Sequence, residues 1–135
     1  MALLAKAHQR VCRQRKDFHH KTALALVREY DAIYHEDLQV RNMLKNHPLA
    51  KSIHDAGGAA FLSILAYKAA CAGRRVIAVN PAFTSQICSG GGVVVSKGLS
   101  VRWHSCPDCG TSLHRDHNAA RNIERAGLAL WGEVA

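Results

Sequence analysis

Cys106-Pro-Asp-Cys109-Gly110 constrains this 135-residue chain more than any other feature. Two residues between thiolates let both sulfurs reach one tetrahedral ion, and a glycine after the second frees the turn. Upstream, Cys88-Ser-Gly-Gly91 opens a matching knuckle, with seventeen residues between Cys88 and Cys106. Position 91 would supply the second sulfur of a Cys-x2-Cys, x14, Cys-x2-Cys ribbon, yet it is glycine. Cys88, Cys106 and Cys109 therefore stand as zinc ligands. His104 is the candidate fourth, since imidazole is an accepted zinc ligand, although two residues before Cys106 is not a standard knuckle offset. Structural zinc contributes about 10–16 kcal/mol to small metal-folded domains, so a missing sulfur predicts a weakened site.

The surrounding stretch needs such a staple. Residues 82 to 115 are punctuated by Gly90-Gly91-Gly92, Gly98, Pro107 and Gly110, which suits a ribbon of hairpins too poor in apolar residues to fold unaided. The other two cysteines, Cys12 and Cys71, have no second cysteine nearby and sit inside helical patterns, so they are expected to be inert buried side chains.

Outside this insertion the pattern alternates helix and strand. Residues 3 to 28 read as one long helix, with Leu4, Val11, Phe18 and Ala25 recurring every seventh position and no Gly or Pro to interrupt them. Tyr30 to Glu36 alternates as a short strand with Glu36 at its end, and Arg75 to Val79 is a short apolar run closed by Asn80-Pro81. Residues 49 to 72 form a helix between them, with Ile53, Ala60, Phe61, Ile64 and Cys71 as its buried stripe and Gly57-Gly58 as a weak point. A last helix from Asp116 to Ala129 places Ala119, Ile123, Ala126 and Leu130 at helical spacing, with Asp116 suited to cap it.

Charge narrows the partners. Eighteen basic residues against ten acidic ones give +8, and a pI near 9.6 favours a polyanion, most often nucleic acid. Residues 1 to 30 hold seven bases and two acids, with Lys6, Arg10, Arg13, Arg15, Lys16 and Lys21 as the candidate phosphate contacts. A solvated amphipathic face would look the same. Only Ala-Leu-Leu-Ala separates Met1 from Lys6, so no signal-peptide core or membrane span is expected, and the chain reads as cytosolic.

Two acids complete the inventory. Glu36 at a strand end and Asp116 at a helix start can meet across one sheet, and paired carboxylates holding divalent cations suit phosphodiester hydrolysis. Taken singly, Asp116 has an explanation as a helix cap and Glu36 as a solvated strand end.

A longer pattern links these residues. His35-Glu36-Asp37-Leu38, Met43 to His47, Leu49 to Gly57, Tyr67-Lys68, Pro81 to Gln86 with Cys88-Ser89, the Cys106–Cys109 knuckle and Arg115 to Ile123 follow one another in order. In that order they resemble the TnpB (OrfB) family encoded by bacterial insertion sequences. The resemblance implies an RNA-guided DNA endonuclease with a RuvC-like domain of ribonuclease H fold, interrupted by a zinc ribbon. It implies an α/β fold: a truncated RuvC-like domain over 1–81 and 114–135, opened by the basic helix 1–29, with the ribbon inserted over 82–113. Glu36 matches the second-motif glutamate and Asp116 the third-motif aspartate. The first-motif aspartate has no counterpart in this sequence, so catalysis by the chain alone is not expected, and Mg2+ is expected only where a complete active site is assembled. DNA and guide RNA are the implied partners, with an amino-terminal half or a full-length relative as a further one. The alternative is a non-catalytic zinc-ribbon module that binds nucleic acid and modulates a full-length relative.

Overall fold

A computed structural model of the chain describes residues 2–38, 57–98 and 100–132. In order they form α1 (Ala2–Glu29), β1 (Ala32–Glu36), α2 (Gly58–Cys71), β2 (Arg75–Val79), β3 (Trp103–Ser105), β4 (Ser112–His114) and α3 (Arg115–Gly132). The mixture is α/β. β1 pairs with β2 and β3 with β4, as two separate two-stranded sheets. The Arg75 amide bonds the Asp31 carbonyl at 3.1 Å and the Asp37 amide bonds the Val79 carbonyl at 2.8 Å, so β1 and β2 run in the same direction. Parallel neighbours need a long crossover, and α2 lies within it.

The chain divides into two compact units. The first spans Met1–Ile33 and Gln39–Val76 and is organised by α1 against α2. Its core is Ala23, Val27, Leu65 and Ala69, with Phe61, Leu62, Ile33 and Val76 packed around them. Alanines on both helices let the backbones approach, and Leu65, 2% exposed, fills the space between them. Such a leucine contributes roughly 1.5–3 kcal/mol on burial.

α1 has the expected extent but not the expected buried face. Leu4, Val11 and Phe18 are exposed, while His19, Ala23 and Val27 are buried. The seven-residue repeat fails because α1 meets α2 only over its last three turns, where the i, i+4 spacing of His19, Ala23 and Val27 decides burial. Cys12 and Cys71, expected inside, are both exposed. In α2 the buried side chains are Leu65 and Ala69, with Phe61 and Ile64 half-buried and Ala60 exposed. Residues 49–56, including Ile53, lie outside the described residues.

Gly57 is the N-cap of α2 with φ +63°, and a Cβ there would sit 3.0 Å from Cε1 of His19. Left-handed backbone and a close neighbour both demand glycine. The Gly57-Gly58 pair thus opens this helix instead of weakening its middle, and it admits the His19 ring, which stands edge-on to Phe61 at 5.6 Å.

The second unit spans Tyr34–Leu38 and Ile77–Ala135. β3 and β4 make an antiparallel hairpin in the register Trp103↔His114, His104↔Leu113, Ser105↔Ser112. α3 buries Asn118 and Gly127, whereas Ala119 and Ile123 are half-buried and Ala126 and Leu130 exposed, against the apolar stripe expected. Gly127 explains part of the difference. A Cβ there would overlap the Tyr34 ring, so a glycine that costs on the order of 1 kcal/mol inside a helix is what lets β1 lie close to α3. That contact ties the strand carrying Glu36 to the helix carrying Asp116.

Candidate functional site

Glu36 and Asp116 line one cleft of about 520 Å³ in the second unit. Glu36 is half-buried at the end of β1, and Asp116 lies in the first turn of α3, which begins at Arg115 and leaves Asp116 inside the helix, not at its cap. The Thr84 hydroxyl donates to Oε1 of Glu36, and Asp116 lies 3.6 Å from Nδ1 of His114. Arg102 and Arg115 line the same cleft. Sequence reasoning had singled out neither for a role, although Arg115 adjoins Asp116 directly. Arg115 is held in place by Ser85 Oγ and the Gly98 carbonyl, each 3.2 Å from its guanidinium.

A polar ladder on α3 positions the loop that brings Thr84 to Glu36. Asn118, fully buried, accepts from the Ser89 amide at 2.9 Å and donates to the Ile87 carbonyl at 2.7 Å. Asn122 donates to the carbonyls of Thr84 and Ile87 at 2.9 and 2.7 Å, and Arg125 to that of Ser89 at 2.8 Å. Spacings of four and three put all three side chains on one helix face. Inside this loop Phe83 takes φ +61°, a left-handed backbone that costs a non-glycine residue roughly 1–2 kcal/mol and turns the chain into Thr84.

The same ladder sets Cys88. The sulfurs of Cys88, Cys106 and Cys109 lie within 4.8 Å of one another, with Cys88 and Cys109 3.5 Å apart. Around a zinc ion with Zn–S near 2.3 Å, tetrahedral sulfurs stand about 3.8 Å apart, so three thiols already approach the spacing of one ion's ligands. Both knuckles share one backbone. Gly92 donates to the Cys88 carbonyl at 2.8 Å and Gly110 to that of Cys106 at 3.1 Å, while the amides of Cys88 and Cys106 bond Val93 and Thr111. Gly92 and Gly110 have φ of +76° and +71°. Gly91 thus occupies the place in the first loop that Cys109 holds in the second.

Electrostatics distinguish the thiols. Burial alone would push Cys88 up, but the Gly91 amide, the nearby His104 imidazole, the Gly90 amide and the Cys109 thiol outweigh it and bring it down to about 5. For Cys106 the Cys109 amide pulls downward, yet burial and the neighbouring thiols of Cys109 and Cys88 leave it raised. His104 is fully buried on β3, its Nδ1 meeting Nζ of Lys97 and its Nε2 without a hydrogen-bond partner among the described residues. Burial and the Arg115 charge push Lys97 down. His104 is not one of the three residues whose ligand atoms gather within 4.8 Å.

The candidate phosphate contacts all lie on α1. Lys6, Arg10, Arg13, Lys16 and Lys21 are exposed, Arg15 is half-buried, and Lys21 pairs with Asp17 at 2.7 Å.

Two family models match the chain along most of its length: the Probable transposase family OrfB_IS605 over residues 2–47 and the Cas12f1-like TNB domain over residues 59–123. A putative RNA-guided DNA endonuclease of Streptomyces pristinaespiralis is 45% identical over 93% of this chain. The chain belongs to the TnpB (OrfB) family. The putative RNA-guided DNA endonuclease InsQ of Escherichia coli K12, also similar to this TnpB-family chain, is 34% identical over 94% of it. Coverage of those two relatives is 32% and 36%, so the chain spans about a third of their length. In fold it is similar to Cas12f1 in its complex with sgRNA and target DNA, with TM-score 0.66, 19% identity, and 90% of this chain and 36% of that one covered. The mini-RNA-guided endonuclease Cas_phi3 gives 0.63 at 18% identity, covering 90% and 20%. Among the described residues no helix is long and apolar enough to cross a membrane.

Proposed function

We propose that this chain forms the carboxy-terminal part of the cleavage domain of an RNA-guided DNA endonuclease, a RuvC-like domain with an inserted zinc ribbon. The observation that carries the reading is the shared cleft of Glu36 and Asp116, two acids distant in sequence. Thr84 fixes the Glu36 carboxylate, Asp116 lines the same cleft from the first turn of α3, and Arg102 and Arg115 offer guanidiniums to a phosphodiester. Glu36 and Asp116 would hold divalent cations, which would supply activation of the attacking water and stabilisation of the leaving oxygen. A third acid, from a segment beyond these 135 residues, completes the set, so the chain alone does not cut DNA. Cys88, Cys106 and Cys109 hold a structural zinc, with His104 as the candidate fourth ligand. The exposed bases of α1 bind the backbones of DNA and guide RNA.

Fusing the amino-terminal part of the Streptomyces relative to this chain tests the reading: guided, Mg2+-dependent DNA cleavage supports it. The alternative of a non-catalytic binding module draws on one observation. The Glu36 carboxylate already has a protein partner, the Thr84 hydroxyl. A fusion that binds guide RNA and target but never cleaves would favour that module.

A further inference from the structure

A second cleft of about 520 Å³ lies in the first unit, where the last turns of α1 and α2 run side by side. Leu24, Val27 and Ala72 line it with apolar surface, and Arg28, Lys68 and Tyr67 line it as well. Tyr67 is 71% exposed, so its ring face is open to a ligand. Arg28 and Lys68 make no ion pair among the described residues, unlike Arg74 in the same cleft, which is bound to Asp31. Cations in a last helical turn can simply complement the helix dipole. At the end of α2 the carbonyls of Lys68, Ala69 and Ala70 already accept the amides of Ala72, Gly73 and Arg74, so Lys68 is not needed as their hydrogen-bond donor. Ten bases against three acids among the described residues of this unit add a field that draws in anions.

We propose that this cleft is a seat for one nucleotide of a single-stranded nucleic acid, its base stacked on Tyr67 and its phosphate between Arg28 and Lys68. An apolar lining with an exposed ring suits a base whose π-face is free, and two cations with no ion pair among the described residues suit the adjoining phosphate. Paired bases in a duplex have no free face to offer, so the cleft selects the single strand. The inference rests on the nucleic-acid reading above and assigns it a contact away from the Glu36–Asp116 cleft.

The test is fluorescence anisotropy of the full 135-residue chain with a labelled single-stranded oligonucleotide and with a duplex of the same sequence. Tyr67→Ala is expected to weaken single-strand binding about 5- to 100-fold and to leave duplex binding unchanged, while Tyr67→Phe retains the affinity. Lys68→Gln should reduce the salt dependence by about one phosphate contact. Bound single strand should also slow alkylation of Cys71, which lines the same cleft, in the unaltered chain and not in Tyr67→Ala. Unchanged binding by Tyr67→Ala, or equal loss with single strand and duplex, overturns this assignment alone. Binding of neither probe by the unaltered chain overturns both it and the nucleic-acid reading.

Discussion

Gly91 faces Cys109 across two loops of the same backbone shape: a Cβ built on Gly91 falls 3.1 Å from the Cys109 sulfur. The first knuckle has thus kept its turn and hydrogen bonds while lacking one side chain. Gly91→Cys is expected to strengthen zinc binding by about tenfold or more, since structural zinc gathers about 10–16 kcal/mol over four ligands. Competition against a chromophoric chelator measures it. Equal affinity in the two proteins would show that position 91 does not reach the metal.

The thiols should titrate apart in metal-free protein. With Cys88 brought to about 5 and Cys106 raised, ultraviolet thiolate absorbance should show one group ionising near pH 5, and that step should be missing in Cys88→Ser. The folded Cys88 holds its proton less tightly than an unfolded cysteine does. Its contribution to stability is therefore full above the unfolded value near 9, and it falls as pH drops towards 5. Urea midpoints of the metal-free chain should rise with pH across that window in the wild type, and less so in Cys88→Ser.

Asn118 carries two buried hydrogen bonds to the loop that holds Thr84 and Cys88. Asn118→Ala leaves the Ser89 amide without its acceptor and should cost about 1–3 kcal/mol. Faster hydrogen exchange at Ser89 and Cys88, with that of α1 unchanged, is the expected signature.

In the first unit Leu65 fills the contact between α1 and α2. Leu65→Ala should destabilise by about 2–5 kcal/mol, read from chemical denaturation. Leu4→Ala, on an exposed side chain of α1, should change stability by no more than about 0.5 kcal/mol.

What was legible in the sequence was local. The Cys106–Cys109 knuckle follows from ligand spacing, β2 from a short apolar run with a Pro stop, and α1 from an uninterrupted helical stretch. The buried face of α1 was not legible, because burial depends on how much of the helix a partner covers, and α2 covers only the end. The ladder of Asn118, Asn122 and Arg125 was missed for a related reason. Its i, i+4, i+7 spacing was available, but polar residues at that spacing read as a solvated face unless the loop they bond is known. Arg102 carried no local signal, since it enters the cleft through the hairpin's placement.

The most direct measurement of the central claim is Mg2+-dependent, guide-dependent DNA cleavage by this chain, alone and fused behind the amino-terminal part of the Streptomyces relative. The account predicts no cut by the chain alone and cutting by the fusion that is lost in Glu36→Gln and in Asp116→Asn, with guide binding retained. Cleavage by the isolated chain, or by a fusion carrying both substitutions, would contradict it.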